Sequence, residues 1–232
     1  KRQGRGLLIW GNGDRYKGEF RANQIHGEGT LAWANGDRYE GGFQSNQRSG
    51  MGLMQWRSGQ RYAGNFEQGT MQGQGTYDWP DGSRYSGEFE ADLRTGLGIF
   101  LSPGTDVFSG TFIDGTPEGL GVRKTSASTL NFEQWRNGVL LDSRQIEENS
   151  RCGFSDEYGA WMVLANDCIN GIAHGAGVAV TLDGGYVLSQ GQWVLGNRLK
   201  GKLIELAALP ATDNTNETSD QLSALTADSE GD

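Results

Sequence analysis

Histidine and cysteine are nearly absent: the 232-residue chain has two of each. A nucleophile–base pair or a metal cluster needs such residues gathered in one place. Instead His26 and His174 stand in equivalent positions, each directly before a G-x-G pair, which suits loop packing better than chemistry. Two cysteines alone do not make a four-ligand zinc site. Long apolar runs are missing as well, since "WMVLA" and "GVAV" fall far short of the roughly 18–20 residues that cross a bilayer. The first residue is lysine, so a trimmed or processed start is expected, with any targeting segment outside the sequence. A basic excess is also lacking. Residues 1–141 hold 15 Lys+Arg against 15 Asp+Glu, and residues 142–232 hold 5 against 14. Nucleic acid or an anionic membrane as the main partner requires a basic face, and the balance argues against both.

What is plentiful is glycine, with 38 residues, and it is positional. G-x-G pairs stand at Gly4/Gly6, Gly27/Gly29, Gly50/Gly52, Gly73/Gly75, Gly96/Gly98 and Gly119/Gly121, 23 residues apart each time. Trp10, Trp33, Trp56 and Trp79 keep that period. So do Tyr16, Tyr39, Tyr62, Tyr85 and Phe108, the glycines two residues after each, and Phe20, Phe43, Phe66, Phe89, Phe112 and Trp135. Six units therefore run from residue 4 to residue 141, the last two degenerate.

Each unit reads as a β-hairpin: a strand such as "GTLAW", an Asn-Gly or Asp-Gly turn, then "DRYEGGF". Side chains alternate along a strand, so Tyr39, Gly41 and Phe43 share one face, and Gly27, Gly29, Leu31 and Trp33 share one face of the strand before it. Placing Trp33 opposite Tyr39 requires a three-residue loop or a bulge, with Gly36 at positive φ. The same face collects Leu8, Met54, Tyr77 and Phe100. The other face carries Arg15, Lys17, Arg38, Glu40, Arg61 and Arg84 and is expected to be wet. A glycine between two rings leaves a hole in the aromatic face, across which rings of neighbouring strands can lie.

The pattern G-x-G, a variable stretch, then G-x-x-Y-x-G-x-F resembles the MORN (membrane occupation and recognition nexus) repeat, and "GEGTLAWANGDRYEGGF" fits every signature position. The resemblance implies an all-β fold, an elongated, twisted, single-sheet antiparallel β-meander, used as a scaffold or peptide-binding groove and sometimes attached to enzymes.

Beyond residue 141 the period fails. Residues 142–174 read as an irregular insertion with two cysteines, 175–201 as a degenerate repeat ("HGAGVAVTLDGGYVLSQGQWVLGNRLKG" with Gly175/Gly177 and Trp193), and 202–232 as a short apolar segment and an acidic, mobile tail. Cys152 and Cys168 fit either a disulfide or two unrelated buried thiols. A disulfide would place the chain in an extracytoplasmic compartment, periplasmic or secreted; nothing else in the sequence sets the compartment. The tail either stays solvated or folds back with Ser219 as an N-cap, laying Leu222 and Leu225 on the aromatic face.

Asp14, Asp37 and Asp106 lie in turns, where aspartate is common, and lack the spacing of calcium-binding β-rolls. The G-x-G pairs open no helix after a strand, so they do not form a dinucleotide or phosphate loop. Asn216-Glu217-Thr218 is a glycosylation sequon, with meaning only in a secreted eukaryotic chain. A single sheet with an aromatic face needs a second layer, supplied by the tail, a second copy, or a partner's helix or extended peptide. The expected site is therefore partner-binding and not catalytic: Trp33, Tyr39, Trp56, Tyr62, Trp79 and Tyr85, with no cofactor and no metal. Lipid association is an alternative reading, prompted by the family and by the column Arg15, Arg38, Arg61 and Arg84, which neighbouring acids neutralise. Regulation of a separate enzyme is another, because the residues after 141 carry no kinase or methyltransferase motif and are too few for such a domain.

Overall fold

The computed structural model describes residues 1–146, 152–169, 172–181, 185–194 and 197–205. Thirteen strands form one open antiparallel meander in chain order. They are β1 (Gly4–Ile9), β2 (Arg15–Arg21), β3 (Gln24–Ala32), β4 (Arg38–Gln44), β5 (Gln47–Gln55), β6 (Arg61–Glu67), β7 (Thr70–Asp78), β8 (Arg84–Glu90), β9 (Leu93–Leu101), β10 (Val107–Ile113), β11 (Thr116–Lys124), β12 (Leu130–Arg136) and β13 (Val139–Gln145). At about 4.8 Å per strand the sheet extends roughly 58 Å.

Two kinds of turn alternate along its edges. On one edge, two-residue turns with both residues at positive φ join the strands, as at Ala22-Asn23 (50° and 73°) and Ser45-Asn46 (50° and 69°), a twist that matches right-handed strands. On the other, three-residue loops are closed by a main-chain N–H, that of a tryptophan in the first four and of Ser102 and Thr125 in the last two: Trp33 donates to Asp37 O at 2.9 Å, with Gly36 at φ 100°. The register pairs Leu31, not Trp33, with Tyr39, so the tryptophan sits one step nearer the edge than the parity argument placed it.

A trough of glycine crosses the sheet. Gly6, Gly18, Gly29, Gly41, Gly52 and Gly64 are successive register partners, and the line continues through Gly75, Gly87, Gly98 and Gly110 to Gly121. The ring of Tyr39 fills the trough over Gly41 and Gly52, and Tyr16, Tyr62, Tyr85 and Phe108 do the same over their own pairs. Each tyrosine hydroxyl donates to a main-chain carbonyl three residues on, Tyr39 to Gly42 O at 3.0 Å and Tyr62 to Asn65 O at 2.9 Å. Phenylalanines then stand edge-on between them: Phe43 meets Tyr16 at 5.2 Å and Tyr39 at 5.1 Å, and Phe66 meets Tyr39 at 5.0 Å and Tyr62 at 5.1 Å. This Tyr–Phe zipper is the core of the array, and it ties each repeat to the next.

A second sheet of five strands follows: β14 (Gly153–Asp156), β15 (Gly159–Ile169), β16 (Ile172–Thr181), β17 (Tyr186–Val194) and β18 (Asn197–Glu205). The single-sheet meander expected of the repeats is the thirteen-stranded sheet, and the extension beyond it, expected to be irregular, carries these five strands, with β14 and β15 inside residues 142–174. In β16 and β17, Gly175 faces Trp193 and Gly177 faces Gly191, the register that Gly27–Phe43 and Gly29–Gly41 show in the array.

Met162, Val178, Val180 and Val187 of this second sheet bury against Val122, Leu130 and Phe132 of β11 and β12. Those three residues have the parity opposite to the ring-bearing positions, so the second layer lies on the face expected to be wet, at its C-terminal end. The physical reason is local composition: Val107, Leu120, Val122, Leu130 and Phe132 make that face apolar in the last two repeats, where the earlier ones carry charge. Lys202 adds an ion pair to Glu88 at 2.8 Å on the same face. Cys152 is buried beside Trp161, Val163 and Ala173. The side chain of Cys168 lies outside the described residues, and so does its pairing with Cys152; the tail, with Ser219, Leu222 and Leu225, lies outside them too.

Candidate functional site

The ring-bearing face is built in two rows. The inner row is the Tyr–Phe zipper, where Tyr39, Tyr62 and Tyr85 are 0% exposed. Burial pushes their hydroxyl pKa values well above the usual tyrosine range. These three residues, expected from the sequence to touch a partner, are instead the floor: the phenylalanine edges and the glycine trough enclose them.

The outer row lies toward the tryptophan loops and stays half-buried. Trp56 meets Tyr77 at 5.5 Å, Tyr77 meets Trp79 at 4.5 Å, and Trp79 meets Phe100 at 5.8 Å, so four rings from three successive repeats form one continuous apolar strip. Trp33 and Leu31 extend it toward the N-terminal repeats, where with Trp10 and Ile25 they line a hollow of about 600 Å3. Of the expected contact residues, the structure thus places the three tryptophans at the surface and the three tyrosines beneath.

Two arginines join the face. Arg48 lies 4.9 Å from the Phe66 ring centre and 5.7 Å from that of Tyr39. Arg94 lies within 5.4–5.7 Å of Phe112, Trp79, Tyr85 and Phe100. Burial lowers the pKa of both guanidinium groups. The sequence held the signal: Arg48 and Arg94 occupy the same phase of the period as Ile25 and Met71, both buried core residues.

The arginine column on the other face is largely neutralised where it is partnered. Arg38 pairs with Glu40 at 2.8 Å and Arg84 with Asp78. The turn aspartates have structural work: Asp14, Asp37 and Asp106 accept main-chain N–H bonds from Ala34, Arg57 and Ser126 of the next repeat at 2.8–2.9 Å. Among the described residues no three His, Cys, Asp or Glu side chains gather as a metal site.

In sequence, the family model described as MORN repeat matches residues 1–15, 16–38, 39–61, 62–84, 85–107 and 108–126. No curated protein matches the chain. Similar solved structures include the TCP domain of Drosophila melanogaster SAS-4 (dCPAP), in complex with a proline-rich motif of Ana2 (dSTIL). It is 14% identical, with a TM-score of 0.40, over 62% of this chain and 85% of that one. The TCP10 domain of Danio rerio CPAP, in complex with a peptide of Danio rerio STIL, is 12% identical, with a TM-score of 0.30, over 87% and 97%.

Proposed function

Because the chain belongs to the MORN-repeat family, we propose that it is a non-enzymatic binding module, whose aromatic sheet face holds a polypeptide segment of a partner protein. The observation that carries this reading is the strip Trp56–Tyr77–Trp79–Phe100, half-buried and continuous over three repeats, on the face away from the five-stranded sheet. Large rings that pack on one side and meet solvent on the other provide apolar contact area at low conformational cost, and such rings dominate binding energy at protein interfaces. The glycine trough lets the tyrosines lie low, and the strip packs against that core on one side and meets solvent on the other.

The test is selection of peptides from a random display library on the full chain, followed by affinity measurement on Trp56→Ala/Trp79→Ala. Loss of about 2 kcal/mol or more, some thirtyfold in Kd, is expected for removal of interface tryptophans. Selected peptides that bind the double variant as tightly as the parent chain would overturn the reading.

A further inference from the structure

Among the described residues five arginines are half-buried; Arg84, Arg123 and Arg198 lie within ion-pair distance of an acid, and Arg48 and Arg94 do not. A guanidinium has five N–H donors. Arg94 spends one on Gly115 O, and Arg48 gives one to Gly69 O and a second to the Met54 sulfur at 3.6 Å. Asp92 acts on Arg48 through space, but its carboxylate is held by the Met71 N–H at 2.7 Å. Two half-buried cations therefore lie on the ring-bearing face, Arg94 against Trp79 and Phe100 of the strip and Arg48 against Phe66 and Tyr39, each with donors that make no bond among the described residues.

The chain itself shows how such a cation is completed. In the sixth repeat the tyrosine position is Asn131, so no ring lies over the trough, and the trough position opposite Gly121 is Glu133 in place of glycine. Its carboxylate, 3% exposed, accepts from Arg123 Nε at 2.6 Å and from Trp135 Nε1 at 3.0 Å, while Arg123 lies 5.4 Å over the Phe108 ring. Arginine over an aromatic ring, closed by a carboxylate, is the arrangement that Arg48 and Arg94 lack only the acid to form.

We propose that the occupant of the groove is an acidic polypeptide segment that sets two carboxylates on Arg48 and Arg94. The inference rests on the groove reading above. The two arginines stand four strands apart, on β5 and β9, hence about 19 Å. An extended segment running across the strands covers that in about six residues at 3.3 Å each, an even number that points both carboxylates the same way. Apolar side chains between them meet Tyr77 and Trp79. Charge-assisted guanidinium–carboxylate bonds are short, directional and strong when partly desolvated, so this pair of contacts selects the register of the segment as well as its sign.

The experiment runs the display selection in parallel on the parent chain and on Arg48→Met/Arg94→Met, methionine being what the chain itself uses at the equivalent position 71. The parent chain is expected to enrich apolar peptides carrying paired Asp or Glu. The variant is expected to enrich apolar peptides without that bias and to bind the acidic ones about tenfold more weakly for each arginine lost. Apolar peptides with no acidic bias from either chain would overturn the inference and leave the groove reading standing. No enrichment that depends on Trp56 and Trp79 would overturn both. Vesicles of phosphatidylcholine with phosphatidylserine form a further arm: binding to them that the two arginine substitutions abolish, with no acidic peptide enriched, would assign the arginines to lipid and overturn the inference.

Discussion

The ring of Tyr39 lies across Gly52 so closely that a Cβ there would sit 2.3 Å from its Oη and 2.5 Å from Cε2. The ring has no way to retreat, since Phe43 and Phe66 stand edge-on against it at 5.1 and 5.0 Å. Gly52→Ala is therefore expected to destabilise the array by about 2–3 kcal/mol, an overpacking cost. In a Tyr39→Leu background the same substitution should cost less than about 1 kcal/mol, because the clash has gone. Urea denaturation of the four chains checks this; equal costs in both backgrounds would show that the ring is not what the glycine accommodates.

Stability should fall at alkaline pH. Burial raises the folded-state pKa of Tyr39, Tyr62 and Tyr85 above the ordinary value of about 10. The stabilising contribution is fully present below the unfolded value and is lost as pH rises through the folded one, because the unfolded chain ionises first. The urea midpoint is expected to stay level up to about pH 10 and drop beyond it. Replacing all three by phenylalanine should flatten that drop, at a neutral-pH cost of about 1 kcal/mol for each lost hydrogen bond.

Much of this was legible in the sequence. The 23-residue period, the hairpin unit, the shared face of Tyr, Gly and Phe, and the need for glycine between rings all follow from side-chain alternation. What alternation does not reveal is depth. It placed Tyr39 and Trp33 on one face without showing that Phe66 of the following repeat closes over the tyrosine while the tryptophan, drawn to the loop by its bond to Asp37, stays at the surface. The second sheet was missed because its docking surface, Val107, Leu120, Val122, Leu130 and Phe132, lies in the repeats whose signature residues have eroded. Period-matching discounts those stretches, although their alternation is clear.

Arg123 and Glu133 should behave as a unit. Glu133→Leu alone leaves a half-buried cation without its acid and is expected to cost about 3 kcal/mol, whereas Arg123→Met combined with Glu133→Leu should return to within about 1 kcal/mol of the parent chain. A double-mutant cycle by chemical denaturation measures the coupling, and additive losses would contradict the pairing.

Docking of the five-stranded sheet depends on Val122, which is 0% exposed against Val178, Val180 and Val187. Val122→Asp sets an unpaired carboxylate in that contact and is expected to cost several kcal/mol. Hydrogen exchange should then quicken through β11, β12 and β15–β17 and stay slow in β2–β8, because a repeat array transmits damage only to its neighbours. Uniform loss of protection would show instead that both sheets unfold as one unit.

The central claim is that the partner segment lies on the aromatic strip. Hydroxyl-radical footprinting of the chain, with and without a display-selected peptide at saturation, tests it residue by residue. Oxidation of Trp56, Tyr77, Trp79 and Phe100 is expected to fall on binding, while exposed Leu93 and Ile113, on the opposite side of the sheet, react as before. Protection of Leu93 and Ile113 with the four aromatic residues unchanged would contradict the claim.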